Sequence, residues 1–408
     1  MTDAGLQQRP LTLFLIAAEE SGDALGAALA RALNERERGR LNLAGVGGRA
    51  MAAAGINSPF AIEELSIVGL GAIPQRLPLI LRRIREAAAA VLAARPDALV
   101  IIDSPDFTHR VARRVRHLAP AIPILDYVSP SVWAWRPWRA RSMRAYVDCV
   151  LAILPFEPAA HLRLGGPPCI YVGHPMIERV AELRPNPAEL QRRRSDPPLV
   201  LVLPGSRSSE LRRLLAIFGA TIARVAERAG PLELVLPTVP HLDARVRAGV
   251  ATWPLQPRIV SDPAEKWAAF RSARAALAAS GTVTLELALA GVPTVAAYRL
   301  SLIEELVFRA MRTPEISTAI LANLVIGEKV VPEFLQRDCT AQNLADALFP
   351  LLSDTPQRRR QVEAFGRLDS IMGIGAMSPS GEAAAVVVDV ARRGRRDLAA
   401  VGAMAASC

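Results

Sequence analysis

The sequence predicts an α/β protein built from two Rossmann-like domains facing a cleft. Three observations carry this expectation. Short, almost wholly apolar runs alternate with amphipathic stretches along the chain, the pattern of parallel strands covered on both faces by helices. The alternation occurs twice, in series of similar length. Between them lies LRPNPAELQRRRSDPP (183–198), whose four Pro and basic run mark a linker. At 408 residues there is room for two domains of roughly 100–200 residues each.

The first series gives strands at LTLFLIAA (11–18), ALVIID (98–103), IPILDYV (122–128), CVLAIL (149–154) and CIYVG (169–173). The second gives LVLVL (199–203), LELVL (232–236), RIVS (258–261), AALAA (275–279) and PTVAAY (293–298). Amphipathic segments such as 24–38 separate them. The first domain is expected over 1–185 and the second over 199–358. In open sheets of this kind ligands sit outside the carboxyl ends of the strands, so the turns after strands are where chemistry is sought.

ASGTVTLELALAGVP (279–293) follows a strand and opens a helix. Ser280, Gly281 and Thr282 fall at the helix start, where free N–H groups and the macrodipole favour a phosphate; a plain Ser or Thr cap explains the same residues. Glu286, one turn on, can accept from ribose hydroxyls. LPGSRSSE (203–210) also follows a strand: Ser206 is placed to cap, and Arg207 can neutralise a leaving diphosphate or simply pair with Glu210.

IIDSPDF (101–107) puts Asp103 at the end of a buried strand, as a general base for a hydroxyl nucleophile or as an Asx-turn cap. AAEESGDALGAALA (17–30) lacks the G-x-G-x-x-G spacing. Glu19 and its acidic neighbours would repel a pyrophosphate, which suits Glu19 and Ser21 to hydroxyl recognition instead. His174 stands before Pro at a strand end, facing the expected cleft. YVSPSVWAWRPWRARSMR (127–144) gathers three of the five Trp, with Trp133 and Trp135 beside Arg136. It suits rings and phosphates, in nucleic acid, a lipid headgroup or a small ligand. LSIVGLGAIPQRLPLILRRIR (65–85) carries Val68, Leu70, Ile73 and Leu77 with arginines at its end; it is a core helix or a patch that dips into headgroups.

The formal net charge of +10 attracts anionic surfaces. It is nearly all Arg, with Lys at Lys266 and Lys329 alone, which is as much a compositional bias as a binding signature. Four Cys without C-x-x-C spacing argue against zinc or disulfides and for a reducing compartment. No metal constellation is found, no cofactor is expected, and no run approaches the ~18 apolar residues of a membrane span.

Taken in order, AAEESGDALGA, GVGGRAMAAAG, DSPDF, YVSPSVWAWR, LPFE, YVGHPM, LPGSR, ASGTVTLE, AYR and VPEFLQ resemble the lipid-A-disaccharide synthase family, inverting glycosyltransferases of the two-Rossmann GT-B fold. The resemblance implies a UDP-2,3-diacylglucosamine donor, a 2,3-diacylglucosamine 1-phosphate acceptor and a β-1,6-linked disaccharide 1-phosphate product. It implies Asp103 as the base, Arg207 and 280–282 on the diphosphate, Glu286 on the ribose and Asn323 at the donor. It gives Trp133, Trp135, Arg136 and His174 an acceptor-side role, and segment 65–81 contact with the inner membrane of a Gram-negative cell from the cytoplasmic side. It also implies that the last residues, 359–408, pack back on the first domain. Ala18, Ala72, Thr108 and Ala322 depart from the family pattern. The competing expectations are another UDP-sugar enzyme of this fold, such as a peptidoglycan N-acetylglucosaminyltransferase or an epimerase, and a basic lipid- or RNA-binding protein. Nucleic acid is disfavoured because it leaves Asp103 and Glu286 without a role; homodimerisation is left open.

Overall fold

The computed structural model describes residues 9–65, 73–301, 304–306, 311, 318–376 and 378–395. The chain forms two compact units, residues 1–177 with 375–408, and residues 178–374.

The first unit holds β1 (Leu11–Ala17), α1 (Glu20–Glu37), β2 (Leu41–Val46), α2 (Arg49–Ala53), α3 (Ile73–Ala94), β3 (Ala98–Ile102), α4 (Thr108–Leu118), β4 (Ile124–Tyr127), α5 (Trp138–Met143), β5 (Cys149–Ala152), α6 (Glu157–Arg163) and β6 (Cys169–Tyr171). Its six strands run in the order β2-β1-β3-β4-β5-β6, all parallel. Every residue of β3, β4 and β5 is buried, because helices cover both faces of the sheet. Alternate residues accordingly enter two cores. Leu13, Leu15, Val100 and Leu125 join one; Phe14, Ile16, Leu99 and Ile101 join the other.

The second unit holds α7 (Val180–Leu183), α8 (Pro187–Arg194), β7 (Leu199–Leu203), α9 (Ser208–Ala229), β8 (Glu233–Pro237), α10 (Asp243–Val250), β9 (Arg258–Val260), α11 (Pro263–Ser272), β10 (Ala275–Ala279), α12 (Val283–Leu289), β11 (Thr294–Tyr298), α13 (Leu321–Ile326), β12 (Glu333–Leu335), α14 (Ala341–Leu348), α15 (Pro356–Gly366) and α16 (Leu368–Met372). Its order is β12-β11-β10-β7-β8-β9, again parallel. That is the doubly wound arrangement, with reversal between β7 and β10. In the first sheet the reversal lies between β1 and β3.

The division falls at other residues than the sequence suggests. Segment 183–198 is not an open linker. Asn186 accepts from the Glu189 amide while Glu189 accepts from the Asn186 amide, and Pro187 sits at N1, so α8 is capped and folds into the second unit. At the other end, residues 359–374 stay with the second unit. Gln361 of α15 is buried and exchanges hydrogen bonds with the Thr294 backbone of β11 at 2.8 and 3.2 Å. The chain returns to the first unit at Gly375 and there forms α17 (Pro379–Arg393). Its Ala383, Ala384, Val387, Val388, Val390 and Ala391 complete a core against β1 and β3. Ser378 caps α17 on the Gly381 amide, with Pro379 at N1.

Candidate active site

Each sheet places its polar residues at its own reversal point. In the first unit the turns after β1 and β3 lie side by side. Asp103 follows β3, and its amide donates to Tyr127 O at 3.0 Å. Asp103 and Ser104 both have left-handed backbones, with φ of 51° and 47°. Two consecutive non-glycine residues in that region are strained, and they are held by specific bonds. Thr108 Oγ1 donates to Asp103 O at 2.6 Å and to Ser104 O at 3.1 Å, which locks the turn. The Ser104 amide donates to Asp103 Oδ1 at 2.7 Å. Ser21 Oγ lies 3.4 Å from Asp103 Oδ2. Asp103 therefore makes a local turn contact with one oxygen and turns the other toward Ser21. Gly22 permits a close approach here, since a Cβ would sit 3.3 Å from Ile102 O. Glu19 precedes α1 and is exposed.

Asp23 does not act on a ligand. Its carboxylate accepts from the amides of Gly48, Ala50 and Met51 at 2.7–3.0 Å, so it closes the start of α2. That bond set ties AAEESGD to GVGGRAM.

The Trp/Arg stretch divides into parts with different fates. Trp133 is 9% exposed, meets Phe156 edge-on at 5.2 Å and donates from Nε1 to Glu157 Oε1 at 3.1 Å. It is a core residue, which corrects its expected role at the acceptor. Trp135 and Arg136 remain partly exposed, with the guanidinium 4.3 Å over the ring. Trp138 is 56% exposed. Arg139 Nη2 donates to Asp106 Oδ1 at 2.8 Å, joining this stretch to the Asp103 turn.

Glu157 was not singled out by sequence. It also accepts from the Ile153 and Leu154 amides; burial pushes its carboxyl up to about 7 against these three donors. His161 Nε2 lies 2.7 Å from Ser129 Oγ, and burial lowers it to about 4. His174 is buried too, lowered to about 4 by desolvation, and its Nδ1 accepts from the Met176 amide. It holds its own turn as a neutral imidazole.

In the second unit, the turns after β7 and β10 line one pocket of about 460 Å³ with Gly205, Ser206, Arg207, Glu210, Thr238, Lys266, Ser280, Gly281, Thr282 and Glu286. Arg207, not Ser206, is the N-cap of α9. Glu210 accepts from the amides of Ser206 and Arg207 at 3.0 and 3.2 Å. The start of α9 therefore already holds a carboxylate. The start of α12 does not: among the described residues no acceptor meets the amides of Gly281, Thr282 and Val283. Of the two turns, the one after β10 is the better place for a phosphate. Arg207 reaches Glu210 Oε1 at 3.3 Å but its side chain is 76% exposed, so an anion can draw it away at little loss. Gly205 has φ 112°, and a Cβ there would lie 2.2 Å from Glu210 Oε2.

Lys266 Nζ lies 3.1 Å from Glu286 Oε2 and 4.0 Å over the Trp267 ring. Sequence reasoning missed Lys266, although one of only two Lys in an Arg-dominated chain was a signal. Asn323 also needs correction. It is buried, its Oδ1 accepts from Val330 and Val331, and its Nδ2 donates to Val331 O and Thr318 Oγ1. Its amide has nothing left for a ligand; it braces the segment whose Ala319 O accepts from Ser280 Oγ. Glu333 braces the same segment through Thr318 Oγ1 and the Ala319 amide.

A larger cavity of about 840 Å³ is lined by Arg193, Arg274 and Arg358. Arg193 donates to the carbonyls of Phe270, Arg271, Ala290 and Gly291, and Arg274 and Arg358 are spent similarly. These cations close helix and strand ends, whereas the smaller pocket gathers the polar turns after β7 and β10.

Val68 and Leu70 lie outside the described residues, as does the side chain of Ile73. Leu77 and Leu81 on α3 are 42% and 39% exposed. Arg83 is turned inward, bonded to Glu64 and Glu86 and stacked over Phe60. No helix among the described residues is long and apolar enough to cross a membrane.

A family model described as lipid-A-disaccharide synthetase matches residues 13–378. A lipid-A-disaccharide synthase of Bradyrhizobium diazoefficiens is 60% identical over 384 residues, covering 94% of this chain and 97% of the relative. One of Nitrobacter hamburgensis is 58% identical over 395 residues, covering 97% and 99%. Among solved structures, UDP-GlcNAc 2-epimerase from Neisseria meningitidis bound to UDP-GlcNAc shares the fold at 12% identity, with a TM-score of 0.58 over 93% of this chain and 98% of that one. The architecture is that of GT-B glycosyltransferases and related epimerases, and the chain belongs to the lipid-A-disaccharide synthase family.

Proposed function

We propose that this chain transfers 2,3-diacylglucosamine from UDP-2,3-diacylglucosamine to 2,3-diacylglucosamine 1-phosphate, forming the β-1,6-linked disaccharide 1-phosphate and UDP. The observation that carries the donor half is the second-unit pocket, where Ser280, Gly281, Thr282, Arg207 and Glu286 converge after β7 and β10. The diphosphate rests on the free amides before α12, and Arg207 swings from Glu210 to the leaving oxygens. Glu286, steadied by Lys266, accepts from the ribose. These groups aim positive charge at the bond that breaks, which is electrostatic preorganisation without a metal.

Asp103 Oδ2 takes the proton of the acceptor 6-hydroxyl as that oxygen attacks the anomeric carbon. The attack comes from the face opposite UDP, so configuration inverts. Ser21 orients the hydroxyl, and Glu19, Trp135 and Arg136 contact the acceptor. Exposed Leu77 and Leu81, four residues apart on one helix face, stand with exposed Arg82 and Arg85. This supports docking of the enzyme on the cytoplasmic side of the inner membrane, where both acylated sugars reside. Titration with UDP tests the donor half. Saturable binding that weakens ~10–100-fold in Glu286→Ala supports it; wild-type affinity in that variant refutes the pocket assignment.

A further inference from the structure

Beside the Asp103 turn lies a second carboxylate that the proposed mechanism does not use. Asp126 of β4 pairs in register with Ile101 of β3. It is 0% exposed, and neither oxygen has an aligned hydrogen bond. One group stands at ion-pair distance: His109 Nε2, on the first turn of α4, is 3.1 Å from Asp126 Oδ2. His109 is itself buried, and its Nδ1 lies 3.1 Å from the Tyr146 hydroxyl. Arg113 donates to that hydroxyl at 3.2 Å and stacks 4.6 Å over its ring. A line of contacts thus runs Asp126–His109–Tyr146–Arg113. The other charged or titratable groups acting on it are Asp103 in the β3–α4 turn, Glu157 on α6, Cys169 on β6 and Arg139 on α5.

A lone ionised carboxylate in such a place is strongly disfavoured. Burial first, then the nearby charge of Asp103, raises the Asp126 carboxyl above its ordinary range, while His109 opposes both. Two neighbouring carboxylates resist ionising together. The enclosed Asp126 is the harder of the two to ionise.

We propose that Asp126 and His109 are a positioning pair that shares one proton and couples its location to the charge on Asp103. This rests on Asp103 being the base. When Asp103 takes the acceptor proton its negative charge vanishes. The proton on Asp126 Oδ2 then shifts to His109 Nε2, leaving Asp126 negative beside His109 positive. No proton enters or leaves the pair, and the new negative charge stabilises protonated Asp103. The pair makes Asp103 a stronger base without touching substrate.

The test is the pH profile of kcat/KM for Asp126→Asn, His109→Gln and the double variant. The acid limb should move to lower pH by ~0.5–1 unit in each, with KM for both sugars unchanged, and the double should shift no further than a single. An unmoved limb in folded variants, or shifts that add, would overturn the coupling. Carboxyl-carbon NMR of Asp-labelled unliganded protein separates this from the base assignment. If Asp103→Asn keeps activity, Asp103 is not the base. Coupling still stands if Asp126→Asn lowers the Asp103 titration, and falls if that titration is unchanged.

Discussion

Arg139 Nη2 bonds Asp106 Oδ1 at 2.8 Å, fastening the Trp-rich stretch to the turn that carries Asp103. Two motifs are thereby joined across a separation of 33 residues. The pair itself is exposed on the Asp106 side, so its worth is positional and its contribution to stability small.

Asp103→Asn should lower kcat by ~10²–10⁴ and leave UDP affinity within error of wild type. Steady-state kinetics beside UDP calorimetry reads both. Full turnover in the variant would remove Asp103 from the mechanism.

Glu286→Ala should weaken UDP binding ~10–100-fold, the worth of hydrogen bonds to a charged acceptor. Its loss also frees Lys266 from its partner. Glu286→Gln, which keeps acceptor capacity, should recover part of the affinity; equal loss in both would point to charge rather than ribose contact.

Asn323→Ala should destabilise the second unit by about 2–3 kcal/mol, because the Val330 and Val331 amides lose their buried acceptor. Calorimetry checks this. A melting temperature equal to wild type would mean the segment finds other partners, and the bracing role assigned to Asn323 would be wrong.

Acid should destabilise the first unit through its buried histidines. His161 and His174 are lowered from 6.5 to about 4 by burial. A depressed folded value means the unfolded chain binds more protons between pH 4 and 6.5, so stability is full above 6.5 and falls as pH drops toward 4. Glu157, raised from 4.5 to about 7, acts oppositely, losing stability as pH rises from 4.5 to 7. His161→Gln should flatten the acid side of a stability-versus-pH curve; an unchanged slope would show that His161 titrates normally.

Leu77→Ser with Leu81→Ser should reduce co-sedimentation with anionic vesicles while thermal stability is kept, since both side chains are already exposed. Undiminished sedimentation would place membrane contact elsewhere.

Five of the six strands in each sheet were legible because buried parallel strands are continuous apolar runs; β2 (Leu41–Val46), half-buried and holding Asn42 and Gly45, and the three-residue β12 (Glu333–Leu335) were not, and strand order is a three-dimensional fact. Helix α8 was hidden by its Pro and Arg content, which reads as a linker until Asn186 and Glu189 are seen to cap each other. Trp133 looked like a ligand wall because burial cannot be read from a Trp-rich stretch; its Glu157 partner lies 24 residues on. Asn323 looked like a ligand contact because saturation of an amide is a three-dimensional fact. Asp126 sits inside an apolar strand and reveals itself only when α4 brings His109 across it.

The most direct measurement is an assay with both acylated sugars, following UDP release and the lipid product together. The account predicts stoichiometric UDP and a β-1,6-linked tetraacyl disaccharide 1-phosphate, only when donor and acceptor are both present. UDP release without disaccharide, or epimerised UDP-sugar from the donor alone, would contradict it.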